Sequence, residues 1–141
     1  MRTNLIRVVV ICILSIAVIG CSSIAKLGGD HSANAKIYVL RRLSVTGSGR
    51  IAVTDNGKPV GTIDRGGILS WNRPAGTAMV GASHGGSEAK QTVTVEANQV
   101  YYIEVKATHT TAEHPKEVQL QVLSSREGQH LLRTLQHEFG G

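Results

Sequence analysis

Ser83 is the residue whose surroundings most resemble those of a catalytic nucleophile. Residues 81–85 read GASHG and match the G-x-S-x-G motif, and Glu113 and His114 follow in an order that an acid and a base could take. That motif requires a serine on a turn between a strand and a helix. Here residues 86 and 87 lead into another β-type run, which favours a strand end and a glycine hairpin. A small serine hydrolase using Ser83 is kept as an alternative.

Six histidines could supply metal ligands, but their spacing does not group them. No tight two-ligand spacing such as H-x-x-x-H occurs among them. His130 and His137 are seven residues apart, and Arg133 lies between them on the same polar side of a predicted helix, where a cation disfavours a metal ion. We therefore predict no metal, cofactor-binding or catalytic residue, with exposed or capping histidines at His31, His84, His109, His114, His130 and His137.

Cys21 has the clearest predicted chemistry. Arg2 and Arg7 form a positive head, and residues 8–20 are an apolar run, which is the arrangement of a secretory signal. The small Gly20 directly before Cys21 resembles the end of a bacterial lipobox. This resemblance implies that the sulfur of Cys21 is lipidated, that the product is tri-acylated, with palmitate among the chains, and that the leader 1–20 is removed.

Two other interpretations of this segment stay open. A membrane-spanning helix needs about 20 apolar residues, and residues 8–25 are long enough if two serines are tolerated, so an uncleaved anchor is the main rival. The second is a secreted protein in which Cys21 is an ordinary thiol. Cys12 lies inside the apolar run, so a cleaved and acylated chain would have neither a free thiol nor a disulfide.

The residues after Cys21 predict where the protein is held. Residues 22–35 contain two adjacent glycines and small polar residues, which is typical of a tether, here one spanning about 20 Å. By resemblance to bacterial lipoproteins, Ser22 favours the outer membrane, facing the periplasm. We expect a signal at 1–20, a lipid-anchored linker at 21–35 and one domain at 36–141, with the membrane as the partner of Cys21.

Charge and aromatic content argue against nucleic acid as a ligand. Removal of the leader takes away Arg2 and Arg7, which lowers the net charge from +5 to +3. The sequence has five aromatic residues and no basic run interleaved with them. Nucleic-acid binding is therefore not expected.

Residues 36–123 alternate with the period of two that is typical of β-strands. Turn signals recur at intervals of about 8–12 residues, and the connections are too short for parallel crossovers between successive strands. This predicts an all-β, mainly antiparallel sandwich, immunoglobulin-like or transthyretin-like, with about eight short strands at 36–43, 50–54, 60–63, 68–71, 77–83, 90–96, 100–107 and 117–123.

Local signals predict specific turns and a final helix. Asn56-Gly57 between two β-type runs favours a type I′ hairpin turn, because both central residues need positive φ. Ser124 and Glu127 form an S-x-x-E capping box for an amphipathic helix at 124–139. Its apolar side, at Leu131, Leu132, Leu135 and Phe139, is expected to pack on the sandwich, while a partner or the membrane surface is the alternative.

The sequence also predicts where two tyrosines and the single tryptophan lie in this fold. Tyr101 and Tyr102 are neighbours on one strand, so one should face the core and the other outward. Trp71 is expected in the core or at its rim, and the alternative is a surface anchor for a partner.

The order of these segments resembles a family of small bacterial lipoproteins that carry an uncharacterised β-domain, similar to the PEGA-type module. The resemblance covers residues 36–123 and rests on residues 36–42 (KIYVLRR), 53–61 (VTDNGKPVG), 73–76 (RPAG) and 96–103 (EANQVYYI). It implies a β-sandwich, and it implies no activity and no site residue.

Taken together, the sequence predicts a lipid-anchored envelope protein that is not an enzyme. We expect a binding or structural module whose partner is an envelope protein or the cell wall. An accessory lipoprotein of a secretion or transport complex is the alternative.

Overall fold

The computed structural model describes residues 33–43, 49–108 and 117–139, and these residues form eight β-strands followed by one α-helix. The elements are β1 (Ala35–Leu40), β2 (Ile51–Asp55), β3 (Lys58–Ile63), β4 (Ile68–Arg73), β5 (Gly76–His84), β6 (Ser87–Val95), β7 (Val100–Thr108), β8 (Glu117–Leu123) and α1 (Ser125–Phe139).

The strands make two four-stranded sheets packed face to face. Sheet I has the order β4-β1-β7-β8, and sheet II has the order β3-β2-β5-β6. Every pair is antiparallel except β1 with β7, where Lys36 lies opposite Val100 and the strands run parallel. The predicted antiparallel-dominated sandwich with a C-terminal helix is confirmed. Its strand order differs from the ABED/CFG order of immunoglobulin constant domains.

The parallel pair follows from the connectivity. A parallel partner requires a crossover connection, and all of sheet II lies between β1 and β7 in the chain. The lengths of the links between successive strands do not predict this pair, because β1 and β7 are not successive.

The core lies between the sheets and is made by the inward side chains of each alternating strand. These side chains are nearly all aliphatic, as burial in a sandwich requires. The fully or almost fully buried members are Ala35, Ile37, Val39, Ile51, Val53, Ile63, Ala78, Val80, Ala82, Val93, Val95, Ile103, Val105, Ala107 and Val118.

Sheet I carries buried apolar side chains on both of its faces, which sheet II does not. Along β1, Ile37 and Val39 face sheet II, while Tyr38 and Leu40 belong to a second cluster on the outer face. This explains the apolar residues of both parities in β1. The strand ends at Leu40 and not at residue 43 as predicted, because the chain leaves the sheet where Arg41 N–H donates to Gly67 O at 3.1 Å.

The Asn56-Gly57 turn has the predicted geometry. The φ angles of Asn56 and Gly57 are 49° and 79°, so both are in the left-handed region that a type I′ turn requires. The Asn56 side chain also joins the turn to β5, because Met79 N–H donates to Asn56 Oδ1 at 2.8 Å.

Helix α1 begins with the predicted capping box. Ser124 Oγ accepts from the Glu127 N–H at 3.3 Å, and the Glu127 carboxylate accepts from the Ser124 N–H at 3.0 Å. The helix then covers the outer face of sheet I, where Leu131 and Leu135 are buried with residues of β1, β7 and β8. The expected packing of the leucine side on the sandwich is therefore observed, while the side chain of Phe139 lies outside the described residues.

Helix α1 packs directly against the side chain of Tyr102. Its ring stacks on Tyr38 with centroids 5.5 Å apart, and Lys36 Nζ lies 5.1 Å from the Tyr38 centroid. Burial raises the pKa of Tyr102, with Tyr38 contributing in the same direction. Tyr101 faces the sandwich core as expected, but the outward Tyr102 is covered by the helix rather than by solvent.

Gly128 permits this close approach. A Cβ atom at Gly128 would overlap the Cβ and Cγ atoms of Tyr102, which belong to the base of the side chain and cannot swing away. The helix axis therefore lies as near to sheet I as a bare backbone allows.

Gly128→Ala should destabilise the protein although alanine is the better helix former. Propensity alone predicts a gain of about 1 kcal/mol, whereas overlap with Tyr102 predicts a loss of about 1–3 kcal/mol in the free energy of unfolding. Urea denaturation measures the difference. Gln129→Ala, at the exposed neighbouring position, is the control and should stay within about 0.5 kcal/mol of the wild type. A Gly128→Ala variant more stable than the wild type would contradict the packing.

The capping box should make helix stability depend on pH. Hydrogen bonds from Ser124 lower the pKa of Glu127 below its ordinary value of 4.5. A carboxylate whose pKa is lower in the folded state stabilises the fold above pH 4.5 and loses this contribution as the pH falls through the folded value. The Tm difference between wild type and Glu127→Gln should therefore shrink between about pH 6 and about pH 3. A difference that does not change with pH would contradict the assignment.

Candidate functional site

The predicted lipidation residue, Cys21, lies outside the described residues. The same holds for His31, His109, Glu113 and His114. Lipidation of Cys21 and the roles suggested for the other four therefore stay predictions. The geometry below concerns the candidate residues that the structure places.

Ser83 lies in a β-hairpin. It is exposed near the end of β5, opposite Ala52 on β2 and Glu88 on β6. A two-residue turn, Gly85-Gly86, follows with φ angles of 58° and 88° and leads directly into β6. The strand–turn–helix context of a nucleophile elbow does not occur here, so the interpretation as a strand end and glycine hairpin is the one the geometry supports. The hairpin is tighter than predicted, because β6 begins at Ser87 and not at residue 90.

The imidazole of His84 is hydrogen-bonded to the backbone of a neighbouring segment. Its Nδ1 lies 2.8 Å from Arg50 O, and since a carbonyl only accepts, Nδ1 carries the proton. Nε2 is buried and has no hydrogen-bond partner among the described residues. Consecutive strand residues point to opposite faces, so His84 is not placed to take a proton from Ser83.

An open groove of about 590 Å³ lies at this end of sheet II. Its charged side chains are Arg50 and Glu88, and its remaining lining consists of His84 and small residues, three of which carry hydroxyls. Arg50 is paired with Asp64 at 3.4 Å, and Glu88 is paired with Lys90 at 3.2 Å, all four being largely exposed. The groove thus combines the hydroxyls of Thr62, Ser83 and Ser87 with surface charges that are already paired.

A half-buried cluster of Asp55, Trp71 and Arg73 joins the two sheets. Asp55 ends β2 in sheet II, while Trp71 and Arg73 lie on β4 in sheet I. Trp71 Nε1–H donates to Asp55 Oδ2 at 2.9 Å, and Arg73 Nη1 donates to Asp55 Oδ1 at 2.5 Å. Arg73 Nη2 also donates to Thr77 O at 3.0 Å. Trp71 packs against the core, as expected for a rim residue.

Glu104 is a buried acid on the central strand β7. Its side chain is 3% exposed and accepts from Arg42 Nε at 2.6 Å, with Lys106 Nζ at 3.6 Å from the other oxygen. This site was not predicted from the sequence, although an acid between Ile103 and Val105 in an apolar strand is a visible signal. The sequence contains no comparable signal for the Asp55 cluster, since Asp55 looks like an ordinary turn residue.

Arg41 is fully buried at one end of the sandwich. Its Nη1 donates to Gly49 O at 2.6 Å and to Ile63 O at 3.3 Å, which ties the start of β2 to the end of β3. Burial lowers the pKa of Arg41, Arg65 lowers it further, and Asp64 opposes the shift. This arginine acts on backbone carbonyls and has a structural role.

The structure does not assemble a metal centre in the part of the chain it describes, where no three His, Cys, Asp or Glu side chains come together. His130 and His137 lie exposed on α1, on the same side as Arg133, as the helical spacing predicted. Among the described residues, no helix is both long enough and apolar enough to span a membrane.

Comparison with known proteins assigns no family. No protein-family model matches the chain, and no curated protein matches it. The resemblance to lipoproteins with a PEGA-like domain therefore stays a prediction from the sequence.

Asp55→Ala should destabilise the sandwich strongly, because it leaves Arg73 without its partner where both side chains are only 13% exposed. Loss of one member of a largely buried pair costs about 3 kcal/mol or more, and urea denaturation followed by Trp71 fluorescence measures it. Trp71→Phe removes the N–H donor together with part of the indole ring and should cost about 1–3 kcal/mol, with circular dichroism as the probe. Asp64→Ala breaks an exposed pair and should cost less than about 1 kcal/mol. Equal losses for Asp55→Ala and Asp64→Ala would show that Asp55 does not join the sheets.

Proposed function

We propose that this protein is a lipid-anchored component of the bacterial cell envelope. In this proposal Cys21 carries the acyl chains, the leader 1–20 is removed, and the protein faces the periplasm, at the outer membrane. The domain acts as a non-catalytic binding or structural module for an envelope protein or the cell wall.

The observation that carries the proposal is the arrangement of the first 21 residues. Arg2 and Arg7, the apolar run 8–20 and the Gly20-Cys21 junction occur in the order that a lipoprotein signal requires. The first strand begins at Ala35, 14 residues after Cys21. Residues 32–141 group as one compact unit by their contacts, which supports a single domain after the predicted tether.

The placement of charged side chains supports a non-catalytic role. The least exposed acids, Asp55 and Glu104, are each bound to an arginine within the fold. The carboxylate of Asp55 stabilises the contact between the two sheets, and the carboxylate of Glu104 stabilises the outer surface of sheet I. Catalytic acids and bases instead converge on a cleft in which a substrate can reach them.

Acyl labelling of two cysteine variants tests the anchor. Bacteria expressing the full chain are labelled with a palmitate analogue, and the purified protein is analysed by intact mass. We expect label on the wild type and on Cys12→Ser, which serves as the matched control because Cys12 lies in the removed leader. Cys21→Ser should lose the label and keep its leader.

Two results would overturn the anchoring proposal. One is a mature wild-type mass with an unmodified thiol, and the other is equal labelling of Cys21→Ser and wild type. An intact leader on an unlabelled wild-type chain would favour the uncleaved membrane anchor instead.

A further inference from the structure

The outward side of helix α1 carries a row of basic side chains that the fold does not use. Arg126, His130, Arg133 and His137 are spaced at i, i+4, i+7 and i+11, which places them within about 60° around the helix axis. We call these four residues the basic stripe. It lies opposite Leu131 and the other buried residues of α1, so it is the outermost part of this face of the protein.

The basic stripe is free to bind an external anion. All four residues are exposed, and none of them forms an ion pair with an acidic side chain in the described part of the chain. Glu127 and Glu138 lie about a quarter turn away, and Glu127 is engaged by Ser124. The stripe therefore carries two permanent positive charges, on Arg126 and Arg133, about 10 Å apart along the helix.

Helix stability does not account for this pattern. Exposed helices gain stability from Glu and Lys or Arg at i and i+4, whereas the stripe places basic residues at those spacings. Fixation of α1 on sheet I comes from the leucine side and from Gly128, on the opposite side of the helix. Apart from His137, whose place in the last turn suits the helix dipole, the stripe thus contributes nothing evident to folding.

The position of the predicted tether suggests what the stripe meets. The tether joins the domain at Ala35, the first residue of β1, and β1 belongs to the sheet that α1 covers. A tether spanning about 20 Å would hold that sheet near the headgroups of the membrane. Each basic side chain near an anionic membrane surface strengthens binding to that surface by about tenfold or less. The tether adds to this because it keeps the domain at a high effective concentration at the membrane.

We propose that the basic stripe docks on anionic phospholipid headgroups and orients the sandwich with α1 toward the bilayer. The proposal rests on the membrane attachment proposed above. It leaves the outer face of sheet II directed away from the membrane, where an envelope partner can reach it.

Histidine modification on vesicles tests this orientation. The full chain is reconstituted into vesicles of phosphatidylcholine, with or without about a quarter of phosphatidylglycerol. Diethylpyrocarbonate labelling, resolved by peptide mass spectrometry, then reports the reactivity of each histidine. We expect His130 and His137 to react about threefold or more slowly on the anionic vesicles, and about 1 M salt should abolish the difference. Lys58, exposed on sheet II and also reactive toward diethylpyrocarbonate, is the internal reference and should not change.

Two charge-reversal variants separate the stripe from net charge. Arg126→Glu with Arg133→Glu should abolish the protection of His130 and His137. Arg50→Glu with Lys90→Glu makes the same change of charge at exposed positions on sheet II and should preserve it. Thermal unfolding confirms that both variants are folded.

Three outcomes would overturn the proposal. These are equal histidine reactivity on both vesicle types, equal loss of protection in the two variants, and protection that appears only when membrane proteins are present, which would indicate a protein partner. The chain is held on the vesicle either by an acylated Cys21 or by its apolar leader. A failure of lipidation would therefore be seen in the labelling of Cys21 and would not change this result.

Discussion

The apolar outer face of sheet I is the constraint on which the arrangement of this domain depends. Tyr38, Leu40 and Tyr102 would expose a large apolar surface if nothing covered them, and α1 packs on this cluster, in which Leu40 and Tyr102 are buried and Tyr38 is half-buried. The stacked tyrosine pair and the absent side chain at Gly128 fix how closely the helix lies on the sheet. Because one side of α1 is committed to this contact, the opposite side is fixed as well, and it carries the basic stripe.

The charged side chains inside the domain have a different role from those on the exposed side of α1. Asp55 is held by Arg73 of β4, and Glu104 is held by Arg42, which follows β1. Arg41 binds backbone carbonyls at one end of the sandwich. Removing a partner from such a site leaves a desolvated charge behind, so these contacts favour one arrangement of strands over others. The basic stripe has no such partner among the described acids, which is why we assign it to a contact outside the chain.

The two proposals together describe one orientation of the domain at the membrane. An acylated Cys21 would limit the distance of the domain from the bilayer, and the basic stripe would select which side of the domain faces it. Neither step requires an active site. Together they would leave the exposed face of sheet II, with its small and polar side chains, as the surface available to a partner in the envelope.

The sequence by itself determined what depends on neighbours along the chain. The period of two in the strands, the type I′ turn at Asn56-Gly57 and the capping box at Ser124 are local, and each was predicted. Glu104 was detectable as an acid in an apolar strand, but its partner Arg42 was not. That pair, the Asp55 contacts with β4 and the parallel pairing of β1 with β7 were decided by the tertiary structure. They join residues that are distant in the chain, and strand order alone brings such residues together.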